Sequence, residues 1–115
     1  MLQLTIAFLR NKRQTMNIED MQVNAEDAAK LLKILANPTR LLILCALIDR
    51  EHSAGELEEI VELSQSAVSQ HLAKLREQDI VNTRRERQSI LYKLSDSNSN
   101  SKAIIETLHR IYCGS

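Results

Sequence analysis

The two cysteines are the most reactive side chains in this sequence. Cys45 stands within the aliphatic run 41–48, and Cys113 ends a predicted helix whose apolar side consists of Ile104, Ile105, Leu108, Ile111 and Tyr112. A thiolate attacks electrophilic sulfur, and a second thiol within reach converts the adduct into a bridged product. A plainer interpretation is also open, in which Cys45 fills space as a small hydrophobe and Cys113 is an exposed thiol. Neither cysteine belongs to the Cys-x-x-Cys pair of thiol oxidoreductases, and two are too few for a disulfide scaffold.

Polar residues between positions 64 and 70 have the chemistry of DNA recognition. With Ser64 as a helix cap, four short, uncharged donors and acceptors fall on the first turns of the helix, namely Gln65, Ser66, Ser69 and Gln70. Gln pairs with adenine through two hydrogen bonds in the major groove, and Ser reaches bases or phosphates. We expect these residues to read double-stranded DNA. The alternative is an ordinary exposed helix face.

Basic residues after this cluster have the charge needed to hold DNA. The chain has 15 basic and 15 acidic residues, yet segment 71–95 has six basic against three acidic residues. Segment 49–62, in contrast, has one basic against six acidic residues. We expect phosphate contacts from Lys74, Arg84, Arg85, Arg87 and His71, with a local hydrogen bond as the alternative for His71. A solvated surface accounts for the charge pattern alone equally well.

The size and composition of the chain limit the classes of protein to which it can belong. The 115 residues suffice for one domain, and a hydrophobic content of 43% allows a core. Aromatic residues make up 3%, and there are two glycines, so the stacking platforms of single-strand binders and Gly-rich phosphate loops are absent. We expect no enzyme and no cofactor. The longest apolar run, 41–48, is far shorter than the roughly 20 residues that span a bilayer, and no secretory signal is present. We therefore expect a cytoplasmic protein without a membrane partner.

The apolar spacing predicts a series of helices with a helix-turn-helix in the middle. A first helix lies between residues 20 and 36, and Asn37-Pro38 starts a second, nearly all-apolar helix that extends to about residue 49 and should be the central buried element. Ser53 and Glu56 form a capping box before a helix over 54–61. After the turn 62–64, the next helix has its inward face at Val68, Leu72 and Leu75.

A change to alternating periodicity predicts a β hairpin. Segments 80–84 and 89–94 are the expected strands, with the basic stretch 85–88 as the tip. The loop 95–101 should end in a serine cap before a last helix. The predicted fold is mainly α-helical, a winged helix-turn-helix with a two-stranded β wing. We assign residues 17–115 to this domain and residues 1–16 to an N-terminal extension, which we expect to be a disordered tail.

Several motifs resemble the ArsR/SmtB family of bacterial winged-helix repressors. They are Asn-Pro-Thr-Arg-Leu-Leu-Ile-Leu at 37–44, Gly-Glu-Leu at 55–57, Leu-Ser-Gln-Ser-Ala-Val-Ser-Gln-His-Leu at 63–72 and Gln-Ser-Ile-Leu-Tyr at 88–92. The resemblance implies a homodimer, paired through its first and last helices, that binds a palindromic operator and leaves it on sensing an inducer. It also implies that the winged helix binds DNA, whereas a protein-interaction module would have acidic or apolar residues in place of Gln65, Ser69, Gln70 and Arg85.

The residues that flank the cysteines are similar to those of the persulfide-sensing subgroup of this family. That resemblance implies that Cys45 and Cys113 form a redox-sensing dithiol switch, with reactive sulfur species as the inducer. Family members that sense metals carry paired cysteines where this chain has residues 52–57, and a second metal site needs more ligands than Glu106 and His109. We expect no metal site. The alternative to reactive sulfur species is a metal or a general oxidant as the inducer.

Overall fold

The computed structural model of the chain describes residues 17–113, which form five helices and three strands. The helices are α1 (Ile18–Leu35), α2 (Pro38–Asp49), α3 (Ala54–Val61), α4 (Gln65–Glu77) and α5 (Ser99–Tyr112). The strands are β1 (His52–Ser53), β2 (Val81–Glu86) and β3 (Ser89–Leu94). The predicted extension, residues 1–16, lies outside the described residues.

The chain divides into two compact units, residues 1–33 and 34–115. In the first unit, residues 18–33 belong to α1, and the large apolar side chains Ile18, Met21, Val23 and Leu32 are exposed. The second unit contains the buried apolar core, which consists of Leu35, Ile43, Leu44, Leu47, Leu57, Val68, Leu72, Leu75, Ile80, Val81, Leu94 and Ile105. The helix-turn-helix and the wing therefore share a single aliphatic core.

Helix α2 begins where Asn37-Pro38 predicts it. The Asn37 side chain accepts a hydrogen bond from the backbone N–H of Arg40 at 3.1 Å, and Pro38 occupies the first turn, where its missing N–H has no helical partner. Ile43, Leu44 and Leu47 are buried, but Leu42 is 53% exposed. The predicted central position of α2 in the core is confirmed on the side of Ile43, Leu44 and Leu47, and Leu42 lies on a side that the core does not cover.

The predicted helix-turn-helix is confirmed. At the start of α3, Ser53 accepts from the Glu56 N–H at 3.2 Å and its own N–H donates to the Glu56 carboxylate at 3.0 Å. Glu62 ends α3 in the left-handed region, with φ of 57°, and Ser64 caps α4 by accepting from the Ala67 N–H at 3.2 Å. The inward residues of α4 are buried as expected, namely Val68, Leu72 and Leu75.

The wing is a three-stranded antiparallel sheet in the order β1-β3-β2, one strand more than predicted. The additional strand, β1, pairs His52 with Tyr92 and Ser53 with Leu91, and two residues are too short to show a periodic pattern. The tip is also shorter than the predicted 85–88. The β2–β3 register extends to Glu86 and Ser89, and a two-residue turn places Arg87 at φ of 61°.

An asparagine, rather than the predicted serine, starts the last helix. Asn98 accepts from the Ser101 N–H at 3.2 Å and thereby caps α5. Before it, Ser95 and Ser97 donate to the Asp79 carboxylate at 3.0 and 2.7 Å. Helix α5 then packs against α2. Within residues 17–113, no single helix is long and apolar enough to cross a membrane, although α1 and α2 together pass that test as a bent pair.

Candidate functional site

The packing of α5 on α2 brings the two cysteines together. Cys45 lies in the middle of α2 and is half-buried, while Cys113 is the exposed residue that ends α5. Their Sγ atoms are 4.0 Å apart. A disulfide bond is about 2.05 Å long, so both cysteines are free thiols in contact. The arrangement gives one accessible thiol with a second thiol directly behind it.

The two thiols differ in environment. Burial, followed by the hydrogen bond with the Cys113 sulfur and the charge of that sulfur, raises the pKa of Cys45 to about 11. Cys45 therefore stays protonated near neutral pH. Because the thiolate is the nucleophile, the exposed Cys113 is the thiol placed to attack a reagent from solvent, and Cys45 is placed to react second.

The four polar residues singled out for base recognition share one side of α4. Gln65, Ser66, Ser69 and Gln70 are all exposed on its first two turns. Val68 and Leu72, on the opposite side, are buried in the core. The N-terminal part of α4 thus presents uncharged donors and acceptors to solvent on a helix held rigidly from behind, which is the geometry of a major-groove recognition helix.

The predicted phosphate contacts fall into two groups. Lys74, Arg85 and Arg87 are exposed, and none of their side chains has a hydrogen bond or ion pair with another residue in the described range. Arg84 differs, because its guanidinium lies 2.7 Å from the Glu51 carboxylate and 2.7 Å from that of Glu86. A phosphate contact by Arg84 therefore requires the exchange of a carboxylate partner.

The remaining residue of the predicted set, His71, is half-buried on α4. Its Nδ1 accepts a hydrogen bond from Nε of Arg40 at 3.2 Å. Burial, followed by the charge of Arg40, lowers the pKa of His71, so the imidazole is neutral near pH 7. Sequence reasoning missed Arg40 and Glu51 as partners of His71 and Arg84 in the predicted DNA-contacting set, since each lies more than 30 positions from the residue it contacts.

We predict that Glu51 restrains the wing electrostatically. In Glu51→Gln, Arg84 loses one of its two carboxylate partners and is freer to contact a phosphate. DNA affinity should therefore rise, and the slope of log K against log salt concentration should steepen by up to about 0.9. Fluorescence anisotropy over a salt series measures both quantities. Glu59→Gln is the matched control, because it removes the same charge from exposed α3 surface. Equal effects of the two variants would contradict the prediction.

Metal ligands are not clustered in the described part of the chain. Between residues 17 and 113, no group of three or more His, Cys, Asp or Glu side chains lies close enough together to hold a metal ion.

Comparison with known proteins identifies the relatives of this chain. Residues 37–83 match the family model described as bacterial regulatory protein, arsR family. The chain is 53% identical over 102 residues to the transcriptional activator HlyU of Vibrio cholerae, an alignment that covers 89% of this chain and 93% of that protein. It is 40% identical over 101 residues to the biofilm growth-associated repressor of Xylella fastidiosa, covering 88% and 87% respectively.

Solved structures agree with these sequence matches. Reduced HlyU from Vibrio cholerae superposes with a TM-score of 0.77 at 53% identity, covering 84% of this chain and 99% of that one. The transcriptional repressor BigR from Xylella fastidiosa superposes with a TM-score of 0.78 at 39% identity, covering 84% and 94%. The predicted family resemblance and the winged helix-turn-helix fold are thereby confirmed.

Proposed function

Because the chain belongs to the arsR family of bacterial regulatory proteins, which bind operator DNA and are not enzymes, we propose that it is a transcriptional repressor controlled by its two cysteines. In the reduced form it binds an operator as a homodimer in the cytoplasm. Reactive sulfur species bridge Cys45 and Cys113, and the bridged protein leaves DNA. The observation that carries this proposal is the 4.0 Å contact between the two Sγ atoms.

The exposed faces of α1 and α4 support DNA binding by a dimer. Gln65, Ser66, Ser69 and Gln70 are available to bases, and Lys74, Arg85 and Arg87 to phosphates. Apolar side chains that a partner subunit would cover remain exposed at Ile18, Val23 and Leu32 of α1 and, separately, at Ile111 and Tyr112 of α5. A two-fold dimer would present two recognition helices to half-sites about one DNA turn apart.

The sulfur chemistry balances without an external oxidant when the inducer is a polysulfide. For an organic trisulfide RS–S–SR, the Cys113 thiolate attacks the central sulfur, the S–S bond to one RS group breaks, and that RS⁻ leaves with the electron pair. Cys45 gives up its proton and attacks the same inserted sulfur, and the second RS⁻ leaves. The products are a Cys113–S–S–S–Cys45 bridge and two RSH. The inserted sulfur is joined by two bonds of about 2.05 Å each, so it spans the gap with less movement than a direct disulfide.

The packing of α2 provides a physical route from the bridge to DNA. Helix α2 contacts α5, α3 of the helix-turn-helix and strand β3 of the wing. A covalent link between α2 and the end of α5 restrains both elements, and α5 has exposed apolar surface for the proposed dimer interface. The switch requires a difference in DNA-binding free energy between the reduced and bridged forms. A bridge that changes the spacing of the two recognition helices would produce this difference.

A titration with operator DNA tests the proposal as a whole. Reduced protein should bind a palindromic promoter duplex in preference to a scrambled duplex, and an organic trisulfide should release it. Hydrogen peroxide in the same assay separates a sulfur-selective sensor from a general thiol sensor. Failure of the reduced protein to bind any duplex at low salt would contradict DNA binding, whereas binding that persists in the bridged protein would contradict the switch alone.

Zinc is expected to leave operator affinity unchanged. Glu106 and His109 supply two ligands from one turn of α5, fewer than a closed zinc site needs. Calorimetry with zinc and an anisotropy titration in its presence measure binding and its effect on DNA. The prediction is contradicted if the protein binds about one zinc per subunit tightly and releases DNA, and if His109→Ala abolishes that release. Zinc would then be the inducer in place of reactive sulfur species.

A further inference from the structure

The contact between Arg40 and His71 fixes the hydrogen-bonding character of the proposed DNA face. Arg40 stands in the first turn of α2, and its Nη1 donates to the backbone carbonyl of Ile34 at 3.0 Å. Its Nε donates to Nδ1 of His71 at 3.2 Å. The guanidinium is thus held at two points, and one of them is an imidazole on the helix proposed to read DNA.

The acceptor role of Nδ1 determines the tautomer of His71. A neutral imidazole has one donor and one acceptor nitrogen. Since Nδ1 accepts from Arg40, the proton resides on Nε2, and this second nitrogen is an N–H donor. The lowered pKa of His71 keeps the ring neutral near pH 7, so the donor is present without a positive charge.

The surroundings of this imidazole suit an anion. His71 lines a cavity of about 340 Å³ together with Arg40, Gln70, Ala73, Lys74 and Glu77. Two cations, Arg40 and Lys74, face one carboxylate, that of Glu77. Lys74 has no ion pair among the described residues, and Gln70 also belongs to the proposed base-reading face. When Gln70 contacts a base, the backbone of the same duplex would therefore pass this cavity.

We propose that Arg40, His71 and Lys74 form a pocket for one backbone phosphate of the operator, in which Arg40 is a positioning residue that holds His71 as an Nε2–H donor. This inference rests on the proposed DNA-binding function and deepens it. Lys74 supplies charge, His71 supplies a directed and uncharged hydrogen bond, and Arg40 fixes the tautomer of that donor.

The tautomer is tested first, without DNA, by long-range ¹H–¹⁵N NMR of the His71 ring. Wild-type protein should show the Nε2–H form near pH 7. Arg40→Lys keeps the charge but replaces the Nε–H that donates to Nδ1 with a CH₂ group, so the tautomer ratio of His71 should shift toward Nδ1–H while the circular dichroism spectrum stays unchanged. A predominant Nδ1–H form in the wild type, or an unchanged ratio in Arg40→Lys, would overturn the positioning role.

DNA binding then tests the pocket. His71→Ala should weaken operator binding about tenfold with little change in the salt dependence, because it removes a neutral donor. His71→Gln, which retains an N–H donor, should bind within about threefold of wild type. Lys74→Ala should instead reduce the salt slope by about 0.9. Arg40→Lys should weaken binding as His71→Ala does.

Duplexes with single methylphosphonate linkages locate the phosphate. One such neutral linkage should weaken binding by wild-type protein but not by His71→Ala. If the wild type binds the operator and no linkage gives this difference, the pocket is refuted while the proposed function stands. If the wild type binds no duplex, the proposed function itself fails. The His71 ring signals are also titrated with inorganic phosphate. If phosphate shifts them as strongly as the duplex does, the pocket is a site for free anions, and the assignment to DNA is overturned.

Discussion

Replacement of either cysteine by serine is expected to abolish release from DNA by polysulfide. Wild-type protein should lose operator affinity by roughly 5- to 150-fold on bridging, the range typical of allosteric coupling. Cys113→Ser lacks the accessible nucleophile, and Cys45→Ser lacks the thiol that completes the bridge across the 4.0 Å gap. Both reduced variants should bind the operator as wild type does. Anisotropy titrations before and after trisulfide treatment measure the ratio.

The half-buried position of Cys45 calls for a matched control. A serine hydroxyl at this position is partly shielded from water. Because it has no defined hydrogen-bond partner, it destabilises the fold independently of sulfur chemistry. Cys45→Ala removes the thiol without adding a polar group. Both variants should therefore be unresponsive, with Cys45→Ala closer to wild type in thermal stability. A serine or alanine variant that polysulfide still releases would show that the thiol pair is not the sensor.

Gln70→Ala is expected to reduce discrimination between operator and scrambled DNA by about 1 to 3 kcal/mol, the worth of one bidentate contact with a base. Gln70 is exposed on α4 beside Ser69, so its removal leaves no buried group unpaired and should not affect folding. Affinity for scrambled DNA should change little, because that affinity depends on phosphate contacts. Competition titrations with the two duplexes measure the difference.

Two variants serve as comparisons for Gln70→Ala. Gln78→Ala removes the same side chain at the C-terminal end of α4 and should keep discrimination intact. Arg85→Ala removes an exposed cation of β2 and should weaken binding to both duplexes alike, with a smaller salt slope. Equal losses of discrimination in Gln70→Ala and Gln78→Ala would place base recognition elsewhere.

Local signals in the sequence predicted most of the fold. The Asn37 cap, the Ser53–Glu56 capping box and the Ser64 cap are each formed by residues three positions apart, so the residue types alone define where the helices begin. The alternating pattern of 89–94 likewise defined strand β3. Strand β1 was missed because its two residues pair with β3 through tertiary packing, and the start of α5 was missed because Asn98 competes there with several serines as a cap.

Contacts between distant residues could not be predicted from composition or spacing. Family resemblance pointed to Cys45 and Cys113 as a pair, but their separation depends on how α5 packs against α2. The partners of His71 and Arg84 likewise depend on packing, since Arg40 and Glu51 stand on or beside α2 while the residues they contact lie on α4 and β2. The exposure of Leu42 has the same origin, because its burial depends on neighbours rather than on its own type.

The most direct measurement combines intact-protein mass spectrometry and operator binding on one sample. Reduced protein is treated with an organic trisulfide, and its mass, its proteolytic peptides and its DNA affinity are determined together. The account predicts a mass gain of one sulfur less two hydrogens, a cross-linked peptide pair that contains Cys45 and Cys113, and loss of operator binding in proportion to the bridged fraction. A bridged protein that binds the operator as tightly as the reduced protein, or release from DNA without a Cys45–Cys113 bridge, would contradict it.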